Sequence, residues 1–169
     1  MQTALVDTTA LYAAANRNAE RHDRALSIVQ AADAGDFPRL RVPDPILIET
    51  MNGLARDVSH ETATDLLKRL ETGVQFEPVR EPRAVWERGT AAFRSVRRLS
   101  LADGLLVASS RHHDITYLYS FDDDFDGIDG VTRLATAENP YSAQVRTAFT
   151  PPPRSLRDRS RHSVSCRAR

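Results

Sequence analysis

The sequence predicts a protein of the α/β class with a central, mainly parallel β-sheet. Short apolar runs alternate with longer helical patterns through most of the 169 residues, an alternation typical of parallel strands joined by helical crossovers. The chain is 41% hydrophobic and 27% charged, as expected for one domain with an ordinary core. The pattern stops at three consecutive prolines, residues 151–153. We therefore expect one folded domain over residues 1–140 and a disordered, Pro/Arg-rich tail over residues 141–169.

The first half of the chain contains two predicted strands and four predicted helices. Residues 4–7 are apolar up to an aspartate, as in a strand buried on both faces, and residues 40–42 form the second strand. The helices are expected from a cap at Thr8 or Thr9 to Ala15, from His22 to Ala34 before Gly35, from Asp44 as N-cap and Pro45 to Arg56, and from Ser59 to Glu71 before Gly73.

The second half begins with residues 74–79, which favour a strand or an extended connector. Pro82 then opens a helix in which Val85, Trp86, Gly89 and Phe93 recur at helical spacing. Ser100 is the predicted cap of a helix over residues 101–111. Strands are predicted at residues 115–119 and 131–134.

Four acidic residues occupy equivalent places in this pattern. Asp7 ends the first strand and Asp122 follows the strand at residues 115–119, whereas Glu49 and Asp103 lie in the opening turns of helices. In a parallel sheet with helical crossovers, strand carboxyl ends and the starts of the following helices share one edge, where ligands bind. We therefore expect all four carboxylates to face one crevice.

Each acid also has a purely structural interpretation. Taken alone, Asp7 is better explained as a helix cap and Glu49 as a surface residue. Asp103 is suitably placed to cap its own helix with Ser100, but that helix is apolar nearly all round, so its carboxylate needs a partner. Converging carboxylates raise one another's pKa values unless a cation neutralises them. Oxygen ligands favour Mg²⁺ or Mn²⁺, which activate water for phosphodiester hydrolysis.

The segments around these acids resemble those of PIN-domain nucleases, in particular the VapC-type toxins of prokaryotic toxin–antitoxin pairs. The similarity is carried by ALVDTTAL at residues 4–11, IETMNGL at residues 48–54, LSLADGLLVA at residues 99–108 and YSFDDDF at residues 119–125. Two features depart from the family pattern. Gly104 stands where alanine is more usual. The three successive aspartates at residues 122–124 leave more than one candidate for the fourth metal ligand.

The resemblance covers residues 3–137 and implies a three-layer α/β/α fold with Mg²⁺- or Mn²⁺-dependent cleavage of RNA. It also implies a homodimer and inhibition by a cognate VapB-type antitoxin. The implied catalytic and metal-binding residues are Asp7, Glu49, Asp103 and Asp122, with Asp124 as a further metal ligand, Thr8 and Ser120 in support, and Asp123 pointing away.

Two other functions stay open within this resemblance. One is a housekeeping RNA-processing PIN nuclease, and the other is a catalytically silent PIN fold that acts as a binding module. The presence of all four acids argues against the silent module. An adjacent gene for a small DNA-binding protein would favour the toxin over the housekeeping enzyme.

Basic and aromatic residues near the predicted site have two interpretations each. Arg94, Arg97 and Arg98 precede the Ser100 cap and are candidates for holding RNA phosphates, although a solvated helix end explains them equally well. For the aromatic residues of the preceding helix, Trp86 and Phe93, packing within the domain or at a dimer contact is a better explanation than base stacking.

Charge and hydropathy indicate a cytoplasmic protein that does not enter membranes. The formal net charge is zero, but residues 151–169 contain six arginines and one acidic residue. The longest apolar runs are far shorter than the roughly 18 residues that a membrane span needs, and the N-terminus has no signal-peptide pattern. The lone Cys166 has no partner for an internal disulfide.

Overall fold

The computed structural model describes residues 2–142 and confirms an α/β fold built on a parallel sheet. The strands are β1 (Thr3–Val6), β2 (Arg39–Pro43), β3 (Phe76–Val79), β4 (Tyr117–Tyr119) and β5 (Thr132–Leu134). They lie in the order β3-β2-β1-β4-β5, and every neighbouring pair is parallel. The segment at residues 74–79, for which a strand or a connector was predicted, is therefore a strand in its last four residues.

Within the described residues, six α-helices connect the strands. They are α1 (Thr8–Ala15), α2 (His22–Asp33), α3 (Asp44–Asp57), α4 (His60–Thr72), α5 (Arg83–Ser95) and α6 (Leu101–His112), and a short 3₁₀ helix follows β4 at Asp123–Phe125. Ala4, Leu5 and Val6 of β1 are all 0% exposed. Since successive side chains of a strand point to opposite faces, helices must cover the sheet on both sides. The expected three layers are confirmed.

The strand order reverses between β1 and β4. From β1 the chain builds outward through β2 and β3, and it then returns to place β4 and β5 on the other side. The backbone N–H of Asp7 donates to the carbonyl of Tyr119 at 3.0 Å, so the carboxyl ends of β1 and β4 are joined where the order changes. Such a reversal leaves a crevice at the carboxyl edge of a parallel sheet.

Two predicted helix caps are wrong by one or two residues. Asp7, and not Thr8 or Thr9, is the N-cap of α1, because its carboxylate accepts from the backbone N–H of Thr9, which confirms the interpretation of Asp7 as a helix cap. Pro43 is the N-cap of α3, so Asp44 is the first helical residue. The Asp44 carboxylate instead accepts from the backbone N–H of Glu81 at 3.2 Å and ties the start of α3 to the segment before α5.

Strand β4 begins two residues later than predicted. Asp114 has a φ of 54°, in the left-handed region, and turns the chain after α6. The backbone N–H of Ile115 then donates to the carbonyl of Ser110, and the Ser110 hydroxyl donates back to the carbonyl of Ile115. Ile115 is thus held by the end of α6 and is not available to pair with a strand.

Helices α5 and α6 approach closely where two glycines meet. A Cβ on Gly104 would lie 2.6 Å from the carbonyl oxygen of Gly89, and a Cβ on Gly89 would lie 2.7 Å from the Cα of Leu105. Both distances are shorter than packed atoms allow. Gly104, one of the departures from the family pattern, is therefore matched by a second glycine on the neighbouring helix.

The predicted disordered tail lies outside the described residues, apart from Tyr141 and Ser142. Within residues 2–142, no helix combines the length and the apolar character that crossing a membrane requires.

Candidate active site

Asp7 lies at the centre of the carboxyl edge of the sheet, and its side chain is only 2% exposed. Its Oδ2 atom accepts hydrogen bonds from the Thr9 hydroxyl at 2.7 Å, the Ser120 hydroxyl at 2.8 Å and the Thr9 backbone N–H at 3.3 Å. Thr9 lies in the first turn of α1, whereas Ser120 follows β4. Both sides of the crevice therefore hold the same carboxylate oxygen.

Burial raises the pKa of the Asp7 carboxyl above its ordinary value of 3.8. The hydrogen bonds from Thr9 and Ser120 act in the opposite direction, and the charge of Asp103 adds to the rise. A buried carboxylate favours its neutral form unless a positive charge lies nearby. No basic side chain in the described part of the chain forms an ion pair with Asp7.

Glu49 lies in the second turn of α3 and is exposed. The Thr8 hydroxyl donates to its Oε2 atom at 2.7 Å. Since Thr8 directly follows Asp7, this bond brings Glu49 to the same end of the sheet. The predicted surface position of Glu49 is confirmed, and the residue also faces the edge that holds Asp7.

Asp103 is 9% exposed and takes part in a capping box at the start of α6. Its Oδ2 atom accepts from the backbone N–H of Ser100 at 2.8 Å, and its own N–H donates to the Ser100 hydroxyl at 3.1 Å. The partner that the sequence predicts for the Asp103 carboxylate is therefore, for one of its two oxygens, the backbone N–H of Ser100. The charge of Asp103 also influences the pKa of Asp7, which indicates that the two carboxylates are close enough to repel.

Asp122 lies three residues after the end of β4 and is half-buried. Its backbone N–H donates to the Ser120 hydroxyl at 3.0 Å, the same hydroxyl that donates to Asp7. Its Oδ1 atom accepts from the backbone N–H of Asp124 at 2.9 Å and so caps the short 3₁₀ helix. Asp122 is thereby linked to Asp7 through one serine.

The four acids share a pattern in how their oxygens are used. In each carboxylate, one oxygen accepts hydrogen bonds from the protein: Asp7 Oδ2, Glu49 Oε2, Asp103 Oδ2 and Asp122 Oδ1. The other oxygen has no protein donor among the described residues. Each side chain is thus oriented by its neighbours and keeps one oxygen for another ligand.

The tightest acidic group is the aspartate run that follows β4. Carboxylate oxygens of Asp122, Asp123 and Asp124 all lie within 4.8 Å of one another, and Asp7, Glu49 and Asp103 are not members of a group this tight within residues 2–142. The prediction that Asp123 points away is therefore wrong. Its side chain is exposed, but it reaches the same small region as its two neighbours.

The arginines that precede α6 divide into two kinds. Arg94 and Arg97 are exposed, as expected of either a phosphate-binding or a solvated surface. Arg98 instead donates from Nε to the backbone carbonyl of Asp124 at 2.7 Å and from Nη2 to that of Asp126 at 3.0 Å. Its guanidinium therefore holds the acidic loop, a role that sequence reasoning missed.

A family model supports the interpretation of this edge. The model that describes the PIN domain matches residues 4–131, a span that includes all four predicted acids. The chain belongs to the PIN domain family. The resemblance found in the sequence is thereby confirmed at the level of the family. No curated protein matches the chain.

Solved structures with the same fold include several toxins. The chain is similar to VapC20 from Mycobacterium tuberculosis, a toxin that cleaves the sarcin–ricin loop, with a TM-score of 0.63 and 22% identity over 74% of this chain and 94% of that one. It is also similar to VapBC2 from Rickettsia felis bound to a promoter DNA fragment (TM-score 0.60, 11% identity, 79% and 98% covered). A toxin–antitoxin complex from Klebsiella pneumoniae gives a TM-score of 0.54 at 21% identity, with 80% and 98% covered.

Thr9 is a second residue of this PIN domain that sequence reasoning undervalued. Besides donating to Asp7, its hydroxyl accepts from the backbone N–H of Phe121 at 3.0 Å and lies 3.3 Å from the Ser120 hydroxyl. The available signal was a hydroxyl residue two positions after the strand-end aspartate, in the first turn of a helix. The sequence predicts for Thr9 only the role of an alternative helix cap.

Proposed function

We propose that this PIN domain is a divalent-metal-dependent endoribonuclease that hydrolyses RNA phosphodiester bonds. The observation that carries the proposal is the shared use of oxygens at Asp7, Glu49, Asp103 and Asp122. In each of them one oxygen is held by the protein and the other has no protein donor among the described residues. A constellation of this kind suits cation binding because its ligands are oriented beforehand.

The donor set fits Mg²⁺ or Mn²⁺. All the donors are carboxylate oxygens, which hard cations prefer, and no histidine or cysteine among the described residues joins them. Asp7 is buried without an ion-pair partner in residues 2–142, so a bound cation would remove the electrostatic cost of ionising it. When bound, the ion supplies an activated water and neutralises charge on the phosphate.

The residues take different parts in this proposal. Asp7 and Asp103 are the buried ligands, and their mutual repulsion is relieved by the cation. Glu49 is the exposed ligand on the side where RNA enters, held there by Thr8. Asp122 is the fourth ligand, with Asp124 beside it in the same short loop, and Ser120 orients Asp7 and Asp122 together.

We further propose that the enzyme is the toxin of a VapBC-type pair, acts as a homodimer in the cytoplasm and is inhibited by a cognate VapB-type antitoxin. Support comes from the similar folds of VapC20 and VapBC2. Because VapC20 cleaves the sarcin–ricin loop, ribosomal RNA is the first substrate to assay. A housekeeping RNA-processing enzyme would use the same acids without arresting growth.

The test compares the wild type with Asp103→Asn. The asparagine still accepts from the backbone N–H of Ser100, so the capping box survives while one ligand charge is lost. Induced wild-type protein should stop growth and degrade RNA, and the purified protein should cleave RNA with Mg²⁺ or Mn²⁺ but not with chelator. Asp103→Asn should reduce the cleavage rate by at least about 100-fold, a larger effect than is usual for a residue that only orients a metal ligand.

Glu71→Gln is the matched control, because Glu71 is an exposed carboxylate on α4, away from the carboxyl edge of the sheet. It should behave as the wild type. Equal cleavage by the wild type and Asp103→Asn would reject the site. Cleavage by the purified wild type without arrest of growth would favour the housekeeping enzyme, and absence of cleavage with either metal would favour the silent binding module.

A further inference from the structure

An open cleft of about 380 Å³ lies beside Glu49, between the first two turns of α3, α5 and α6. Its apolar lining includes three large side chains that the fold leaves exposed: Ile48 (60%), Trp86 (53%) and Leu101 (37%). Soluble domains rarely leave a concave group of large apolar side chains in water without a ligand or partner for it.

Packing within the domain leaves much of Trp86 accessible to solvent. The residue is 53% exposed, so packing within the domain covers less than half of it, and a dimer contact is the other explanation that the sequence favoured. The indole forms part of the cleft wall together with Pro45 and Pro82. An aromatic ring in such a position offers a flat apolar face, which is the surface on which unstacked bases are held in single-stranded nucleic acid complexes.

The charges around the cleft favour binding of a nucleobase over binding of the phosphate backbone of RNA. Its polar lining consists of Asp44, Glu49 and Glu81, and none of its lining residues is basic. The Glu81 carboxylate is only 6% exposed and is paired with Arg41 behind the cleft wall, so the charges that face the cleft are those of Asp44 and Glu49. A phosphate would be repelled by such a lining, whereas base amino groups can donate to a carboxylate. One oxygen of Asp44 accepts from the backbone N–H of Glu81, and the other has no protein donor in the described residues.

Glu49 belongs both to the cleft lining and to the four acids. Leu101 and Ala102, which also line the cleft, directly precede Asp103. A group held in the cleft is therefore a near neighbour of a phosphate held at the acids. In an RNA strand, the planar and largely apolar group next to a phosphate is a nucleobase.

We propose that this cleft is a base-binding subsite, in which an unstacked base next to the scissile phosphate lies against the indole of Trp86. The inference rests on the proposed function, since it places the base beside the cleavage site. It selects RNA segments with an unpaired base at the cut, such as loops and single strands, over continuous duplex.

Trp86 is the only tryptophan in the chain, so its fluorescence reports directly on the cleft. The full chain carrying Asp103→Asn would be titrated, in Mg²⁺, with a labelled single-stranded oligoribonucleotide and with a ribose-phosphate oligomer of equal length without bases. The oligoribonucleotide should quench Trp86 saturably, and the abasic oligomer should not. Equal quenching by both, or none while the label reports bound RNA, would overturn the proposal.

Kinetics of Trp86 variants provide the second test. Trp86→Ala should raise KM for RNA about 10-fold or more with little change in kcat, and Trp86→Phe should give a smaller increase. Phe93→Ala is the matched control, because Phe93 is an exposed aromatic of the same helix (45%) that does not line the cleft, and it should keep the wild-type KM.

A second copy of the chain is the competing occupant of the cleft. Light scattering would then show a loss of mass for Trp86→Ala, with KM unchanged in the remaining species, and this result would overturn the proposal. The two proposals also fail separately. Cleavage without RNA-dependent quenching rejects the base subsite alone, whereas base-dependent quenching without cleavage by the wild type rejects the nuclease and, with it, the position of the base beside a scissile phosphate.

Discussion

The Ser120 hydroxyl donates a 2.8 Å hydrogen bond to Asp7 Oδ2 and accepts one of 3.0 Å from the backbone N–H of Asp122. Ser120 is itself 0% exposed. One buried hydroxyl therefore joins the acid that ends β1 to the acid that follows β4, across the place where the strand order reverses. The relative position of these two acids depends on this contact.

Removing that hydroxyl should weaken metal binding. We expect Ser120→Ala to raise the Mg²⁺ concentration for half-maximal RNA cleavage by about 10-fold to 100-fold, as is usual for partners that orient a metal ligand. The Ser120 bond also lowers the pKa of Asp7, so its loss should leave more of this carboxyl protonated. The defect should therefore be larger at pH 6 than at pH 8.

Ser120→Thr is the matched control because it keeps the hydroxyl. It should require less Mg²⁺ than Ser120→Ala. An Ala variant with the metal requirement and pH profile of the wild type would show that Ser120 does not orient Asp7.

Neutralising Asp7 should stabilise the metal-free protein. Asparagine can still accept from Thr9 and Ser120 through its carbonyl oxygen, while the buried charge and its repulsion with Asp103 disappear. In chelator, Asp7→Asn should melt at a higher temperature than the wild type. Addition of Mg²⁺ or Mn²⁺ should raise the melting temperature of the wild type but not that of the variant, and the variant should not cleave RNA.

The stability gain from Asp7→Asn should also depend on pH. The pKa of Asp7 is raised on folding, so the folded state holds this proton at pH values where the unfolded chain, with a pKa near 3.8, has released it. The contribution of Asp7 to the free energy of unfolding of the metal-free wild type therefore decreases as pH rises through this window. The advantage of the variant should grow over the same interval and then level off. A pH-independent difference would contradict the assignment of the effect to ionisation.

The glycine pair between α5 and α6 allows a test of packing. A Cβ at residue 104 would meet a backbone carbonyl at 2.6 Å, so Gly104→Ala should destabilise the fold by about 1–3 kcal/mol, as overpacking does. Gly53→Ala is the matched control in α3. Its Cβ would meet only the Tyr12 ring at 3.4 Å, and it should stabilise the fold by up to about 1 kcal/mol. Chemical denaturation measures both, and a stable Gly104→Ala would refute the close contact.

Arg98 should act through the acidic loop. Arg98→Ala removes the donors to the carbonyls of Asp124 and Asp126, and we expect the Mg²⁺ requirement to rise by about 10-fold or more. Arg97→Ala is the control, since Arg97 is exposed and adjacent. If Arg98 instead bound RNA phosphate, its loss would raise KM and reduce the salt dependence of binding at an unchanged metal requirement.

Periodicity and helix signals were enough to predict most of the fold. The continuous apolar run before Asp7 indicated a strand buried on both faces, and Ala4, Leu5 and Val6 are indeed buried completely. The Ser59 and Ser100 caps were predicted correctly because each side chain satisfies a free N–H within its own first turn. Local chemistry of this kind can be read from neighbouring residues alone.

The errors arose where distant segments decide the outcome. The start of β4 depends on how Ile115 bonds to the end of α6, and Arg98 reaches a loop 26 residues further along the chain. The need for Gly104 appears only when Gly89 is placed against it. The Asp123 side chain was misplaced because the 3₁₀ turn gathers three successive carboxylates, which an extended chain would separate.

The most direct test of the central claim is to locate Mn²⁺ by anomalous diffraction from crystals of the full chain grown with MnCl₂. A peak should lie at the carboxyl edge between β1 and β4, bonded to oxygens that have no protein donor among residues 2–142, including Asp7 Oδ1 and Asp103 Oδ1. The same crystals of Asp103→Asn should lose it. Manganese bound only by Asp122, Asp123 and Asp124, or absent from this edge at saturating concentration, would contradict the account.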